Sequence, residues 1–388
     1  MSLPALTGIR FFAIFHIFLF HLWVLSDIDK PERFAQLLSG VGDLPQRFQN
    51  FIANGWMSTS FFFILSGFIL SYVYWGKNGE LTLPAKRFWL LRLTRLYPIH
   101  FITIVVTIGL VIGMYLGNNP NYLKLSLSAL ATLTLTQAWY PPWVPVWSWP
   151  TWTISALVFL YVLLPWLMRV LACLSRTQQI ATLIALPFVS VIPTAIYSLY
   201  FPAGVERVQN WQIFVGSFPP FWVPQFIAGM LLCRVGEFSR DKSAGHQEAK
   251  RTGVAWGDGA LILVIVMACV PDIEEPLKFY LRHGLMMPLY LLIIFDFAKG
   301  RGIFARILSN RLFLFLGETG YSVFIWQNLV MIFCWMAVSL NPEIGKWQFY
   351  IAAACMVLLA VVSTYAIERP LSRKLRRKFL SPRLKDGG

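Results

Sequence analysis

Apolar residues do not alternate with polar ones along this chain; they run. Eleven stretches almost free of charge lie at 8–26, 56–76, 99–117, 125–138, 151–172, 178–200, 212–233, 256–270, 278–297, 312–338 and 347–367. A helix needs about 20 apolar residues to cross the hydrocarbon of a bilayer, and most of the runs reach that length. Backbone N–H and C=O groups must find their partners inside the protein there, and the period-two signature of a membrane barrel is missing. The pattern predicts an all-α integral membrane protein, a polytopic bundle of helices. The run at 125–138 stands apart: about 14 residues, rich in Ser and Thr, it is too short to cross and reads as a re-entrant or interfacial segment.

Composition agrees. The chain is 57% hydrophobic and 13% charged, against roughly 25% charged residues in soluble domains, which leaves no room for a soluble domain of any size. The five cysteines (Cys173, Cys233, Cys269, Cys334, Cys355) lie in or beside apolar runs without CxxC or His-paired spacing, and read as apolar fillers with no metal site. The first run has no small-residue cleavage site after it, so it is expected to stay as the first helix.

Charge sets the topology. Lys and Arg gather in five regions: Lys77 to Arg95, Arg169 with Arg176, Arg234 to Arg251, Lys299 to Arg311, and the tail from Arg369 to Lys385, which together hold 24 of the 33 basic residues. The alternate loops mix Lys30, Arg33, Arg47, Lys124, Arg207, Lys278, Arg282 and Lys346 with nine acids. The positive-inside rule then puts the basic loops and both termini in the cytoplasm, which requires an even number of crossings; setting 125–138 aside leaves ten. The net charge of +15 is accounted for by anionic lipid at those loops and argues against nucleic acid as a partner.

Some residues need a reason to lie in a membrane. Arg10 and His21 are eleven steps apart on the first helix; at about 100° and 1.5 Å per residue they share a face, with His21 roughly 16 Å further along the axis. Two readings stand for the pair: a functional site, or a packing histidine with a snorkelling arginine. His16 points elsewhere and reads as packing. In RLTRLYP, Arg92 and Arg95 lie three apart on one helical face ahead of Tyr97 and Pro98; such a pair suits a phosphate or pyrophosphate, or anchors the loop at the membrane. Ser66-Gly67 in FFFILSGFIL is a small-residue patch suited to close helix approach, with a hydroxyl to donate. Five tryptophans (Trp139, Trp143, Trp147, Trp149, Trp152) crowd residues 139–152, as an interfacial belt or as a platform for sugar rings. Arg282 and His283 are too isolated in the sequence for a role.

In order along the chain, LTGIRFFAIFHIFLFHLW, FFFILSGFIL, RLTRLYP, WTISALVFLYVLLP, PQFIAGMLL, GETGYSVFIWQ and IERPL resemble the acyltransferase 3 family of membrane acyltransferases. The resemblance covers nearly the whole chain, with residues 1–378 as the transmembrane domain and 379–388 as a short basic cytoplasmic tail. It implies transfer of an acyl group, commonly acetyl, from cytoplasmic acyl-CoA to a hydroxyl of a glycan, glycolipid or similar acceptor, in the inner membrane of a bacterium. The family's Arg-x10-His pair falls on Arg10 and His21, and its Arg-x-x-Arg on Arg92 and Arg95. His21 would then be the general base or a transient acyl carrier. Arg10, Arg92 and Arg95, with Ser66, would hold acyl-CoA, and Tyr97, Trp149, Trp152, Tyr321 and Gln327 would meet the substrate; no metal is implied.

Two positions depart from the family pattern. Leu157 stands where many members have Glu, and Gln327 where many have His. Both changes remove a titratable group, so an inactive or repurposed homologue stays open. So does a transporter or flippase in which Arg10 and His21 line a path. The oligomeric state is left undetermined by the sequence.

The charge argument predicts that cysteine probes at Lys86, Ser243 and Lys385 resist an impermeant thiol reagent in intact cells, after removal of the native cysteines, while probes at Asn119, Pro141 and Glu274 react. Protection of Pro141 together with reaction at Ser243 would overturn the ten-crossing topology.

Overall fold

The computed structural model describes residues 3–27, 39–76, 79–116, 121–201, 209–238, 255–271, 273–341 and 345–380. The apolar runs fold as helices, since a helix bonds its own backbone without water. They are α1 (Pro4–Asp27), α2 (Gln46–Ala53), α3 (Ser58–Tyr74), α4 (Ala85–Leu116), α5 (Tyr122–Leu133), α6 (Trp152–Ala172), α7 (Arg176–Ser190) and α8 (Ile192–Tyr200). The second half holds α9 (Gln209–Ser217), α10 (Val223–Val235), α11 (Trp256–Ala268), α12 (Met287–Ala298), α13 (Arg311–Glu318), α14 (Gly320–Leu340), α15 (Gly345–Val362) and α16 (Arg369–Leu380). Among the described residues there is no strand, and the fold is the all-α membrane bundle expected.

Eight stretches among the described residues are long and apolar enough to cross a membrane: Pro4–Val24, Gln46–Tyr74, Ala85–Gly113, Trp149–Ala172, Arg176–Tyr200, Leu277–Ala298, Gly320–Ala337 and Trp347–Lys378. A ninth is the pair α9 and α10, bent by 43° where Pro219 opens a new turn. The tenth expected crossing falls on α11, whose 13 helical residues reach roughly 20 Å, short of the hydrocarbon thickness. Helix α5, at 12 residues, is as short as its sequence implied.

Several helices differ from the apolar runs that announce them. Helix α4 begins at Ala85, so Arg92 and Arg95 sit on its early turns and Pro98 lies inside it rather than at its start. Proline there removes one N–H and leaves the Thr94 carbonyl without its intrahelical partner, which a long helix tolerates. The runs at 178–200 and 312–338 are each broken, at Val191 and Thr319. The run at 278–297 contains a π-helical turn, Leu281–Leu285, and the last run continues through another, Ser363–Glu368, into the basic helix α16. The probe sites Asn119, Ser243 and Lys385, and tail residues 381–388, lie outside the described residues.

Glycine contacts set the helix crossings. A Cβ on Gly67 of α3 would lie 2.0 Å from the Phe226 carbonyl oxygen of α10, and one on Gly229 would lie 1.9 Å from that of Ile64. The Ser66-Gly67 patch thus meets the PQFIAGMLL segment backbone to backbone. Helix α1 is held the same way, with Gly8 against Leu308 and Gly317 against Thr7, and it packs on α2, α3, α12, α13 and α14. At the tryptophan-bearing end, the side-chain amides of Asn50 and Asn54 donate to the carbonyls of Cys269 and of Ala268 and Val270, at 3.0–3.1 Å. At the basic end, Arg176 pairs with Glu237 at 2.7 Å. All five cysteines are unbridged.

Gly229→Ala should force α10 off α3 and lower the melting temperature of the purified protein by several degrees, as overpacking costs about 1–3 kcal/mol. Gly109→Ala, with nothing near its Cβ position, should leave it unchanged. Equal melting of both variants would contradict the close crossing.

Candidate active site: two adjoining cavities

The first cavity, of about 210 Å³, is walled by α1, α3, α4, α6, α13 and α14, and Arg10, Arg92 and Arg95 all line it. Helix periodicity gathers them: Arg10 stands on α1, and the other two lie three residues apart on one face of α4. Arg10 has no ion pair or hydrogen bond among the described residues. Arg92 rests on the rings of Tyr74, Phe88 and Tyr161 at 4.9, 5.5 and 5.9 Å, and its buried Nε has no hydrogen-bond partner. Arg95 approaches Glu368 at 3.9 Å, and that carboxylate also accepts from Ser322 at 3.1 Å. Glu318 lines the cavity but pairs with Arg369. The chamber therefore holds three guanidiniums with little carboxylate to answer them, a donor set matched to a polyanion.

Ser66 lines the same cavity, as does Leu157, which leaves an apolar wall where many members of the resembled family have Glu. Tyr321 lines it too, and its hydroxyl donates to the carbonyl of Leu96, tying α14 to α4 beside Arg95. Sequence reasoning missed Tyr161, which lines the cavity together with the three arginines and carries one of the rings around Arg92. Its place in WTISALVFLYVLLP, one helical turn after Leu157, was the available signal.

The second cavity, about 310 Å³, holds His21, Trp149 and Trp152, together with Glu275, Lys278 and Arg282. Ile17, Thr59, Thr153 and Phe324 line both cavities, so the two chambers meet at that waist. His21 Nδ1 lies 2.9 Å from Gln327 Oε1. An amide oxygen accepts only, so in this orientation of the Gln327 amide a neutral imidazole carries its proton on Nδ1 and keeps the Nε2 lone pair. The departure at position 327 thus sits against His21 itself, and it substitutes a fixed dipole for a titratable ring.

His16 is used differently. Its Nδ1 lies 3.0 Å from the Ser58 hydroxyl, its Nε2 2.5 Å from the Phe51 carbonyl, and its ring stacks on Phe51 at 4.1 Å. Both nitrogens are engaged, as packing requires. Tyr97 lies apart from the other site residues: its ring is exposed, stacks on Phe101 and lines neither cavity. Among the described residues no group of three or more His, Cys, Asp or Glu side chains is placed to hold a metal ion.

Comparison with known proteins extends the resemblance over the whole site. The family model described as an acyltransferase domain matches residues 3–369. The chain is 23% identical to the acyltransferase MdmB of Streptomyces mycarofaciens, covering 97% of this chain and 94% of that protein. It is 20% identical to a putative peptidoglycan O-acetyltransferase, YrhL, of Bacillus subtilis, and 22% identical to the O-acetyltransferase OatA of Staphylococcus aureus. In both cases 97% of this chain is covered, but it spans only 56% and 58% of those longer proteins. No solved structure matches the chain.

Proposed function

This chain belongs to the acyltransferase 3 family, and on that premise we propose that it moves an acyl group, commonly acetyl, from cytoplasmic acyl-CoA to a hydroxyl of a glycan, glycolipid or related acceptor on the far side of a bacterial inner membrane. It is an integral membrane acyltransferase by family and fold; donor, acceptor and direction are the proposal. The observation that carries it is the meeting of an arginine-lined cavity and a histidine-lined cavity at one waist, Ile17, Thr59, Thr153 and Phe324. A donor with a polyphosphate head and a thioester at the end of a flexible arm fits such a pair of chambers.

In this reading Arg10, Arg92 and Arg95 hold the phosphates, with the Ser66 hydroxyl as a further donor on the wall. The thioester then points through the waist. His21, fixed by Gln327, turns its Nε2 lone pair to the acceptor hydroxyl, while Trp149 and Trp152 offer faces to the sugar. The acceptor oxygen attacks the thioester carbonyl carbon as its proton passes to Nε2. The C–O bond forms, the C–S bond breaks, and the departing CoA sulfur takes the proton. If His21 carries the acyl group instead, Nε2 forms a C–N bond as the C–S bond breaks and CoA leaves as thiolate. The acceptor oxygen then forms the C–O bond as the C–N bond breaks, its proton passing to the thiolate. Gln327 needs no charge for either route, because its part is to hold the tautomer. Tyr97 has no role on this route.

A transporter or flippase would use the same chambers without breaking a thioester, and an inactive homologue would break none. Purified protein in nanodiscs, given acetyl-CoA and envelope glycans, should release free CoA. His21→Ala should reduce release by about 100-fold or more, as loss of general-base catalysis does, while His16→Ala keeps most of it. Arg92→Ala and Arg95→Ala should each weaken donor binding by about 10- to 100-fold, the worth of a charged hydrogen bond. Equal losses in the two histidine variants at equal abundance, or unchanged donor affinity in the arginine variants, would defeat the assignments.

A further inference from the structure

Arg282 looked isolated in the sequence, but the fold surrounds it. It lies in the π-helical turn Leu281–Leu285 and lines the His21 cavity. Its carbonyl accepts from the Ser60 hydroxyl, which fixes the backbone to α3. Its guanidinium carbon lies 5.3 Å from the ring centres of both Trp152 and Trp222, whose own centres are 5.3 Å apart. Gly216 makes room for it: a Cβ there would sit 3.2 Å from Nη1.

No hydrogen bond or ion pair to this guanidinium occurs among the described residues, and its Nε is buried without a partner. The nearby acid, Glu275, is engaged by Gln212 Nε2 at 3.1 Å and the Tyr197 hydroxyl at 3.4 Å. Among the described residues the lining of the chamber carries Lys278, Arg282 and Glu275 as its charged side chains. Glu275 shares the cavity but makes no direct pair with this buried guanidinium, whose N–H donors are left for a second anion. Contact with two indoles steadies the guanidinium, and its planar fork of N–H donors matches a carboxylate or phosphate.

We infer that Arg282 binds an oxyanion carried by the acceptor, so that the acceptor is an anionic sugar or sugar lipid rather than a neutral one. This rests on the reading of the His21 chamber as the acceptor side. Arg282 anchors the charged group, Trp149 and Trp152 flank the ring, and His21 meets the hydroxyl. Carboxylate and phosphate share the chemistry that Arg282 recognises.

The test is binding, not turnover. Intact protein in nanodiscs is titrated at low salt with glucuronate, glucose 6-phosphate and glucose, following tryptophan fluorescence. The two charged sugars should quench saturably and bind at least about 10-fold more tightly than glucose, the scale of a charged hydrogen bond. The tighter of the two tells carboxylate from phosphate. Arg282→Gln should abolish the preference, Arg282→Lys should weaken it, and Arg92→Ala in the other chamber should leave it intact. Three sugars that bind alike, or not at all, would overturn the inference without any variant; so would a preference that survives Arg282→Gln. Charged-sugar preference without CoA release would defeat the transfer reading and leave this site standing, whereas CoA release without preference would defeat this inference alone.

Discussion

A guanidinium enclosed in a helical bundle has to meet water, an anion or an aromatic face, because an apolar interior offers it nothing. The helices are arranged around that constraint. Arg10, Arg92 and Arg95 come from two helices distant in sequence, and the bundle closes one chamber about them rather than pairing each with a carboxylate. The cost is lowered by the rings around Arg92, by Glu368 beside Arg95 and by access to the cavity. Everything else in the site follows from where that chamber ends and the next begins.

The chambers persist because the helices between them cannot slide. Gly67 against Phe226, Gly229 against Ile64, and Gly8 and Gly317 around the start of α1 bring backbones into direct contact, which ties each crossing to its register. Helix α1 then spans both chambers, with Arg10 in one and His21 in the other. Ile17, between them on the same helix, forms part of the waist. A single helix thus measures the distance between the anion site and the imidazole.

Much of this was legible in the sequence. The apolar runs announced the bundle, and eleven steps at 100° put Arg10 and His21 on one face. The Arg92 and Arg95 spacing likewise announced one face of α4. What stayed hidden depends on pairings across the chain. Gln327 could be read as a departure from a family pattern, but not as the group that holds His21 from 306 positions away. Arg282 looked solitary because its indole neighbours, Trp152 and Trp222, lie far off in sequence. The breaks at Val191 and Thr319 escaped because hydropathy does not register a turn inside an apolar run, and Pro98 misled because a proline in a long helix resembles a helix start.

The central claim is that the two chambers communicate and that the acyl group passes between them. Thr153 lines both, so Thr153→Trp should plug the waist while leaving Arg10, Arg92 and Arg95 untouched. Donor affinity and acceptor-dependent CoA release, measured on the same nanodisc preparation, decide the matter. The account predicts acetyl-CoA affinity within about twofold of wild type and release reduced by about 100-fold or more, the scale on which misplaced reacting groups lose rate. Release at the wild-type rate in Thr153→Trp would contradict a route through the waist.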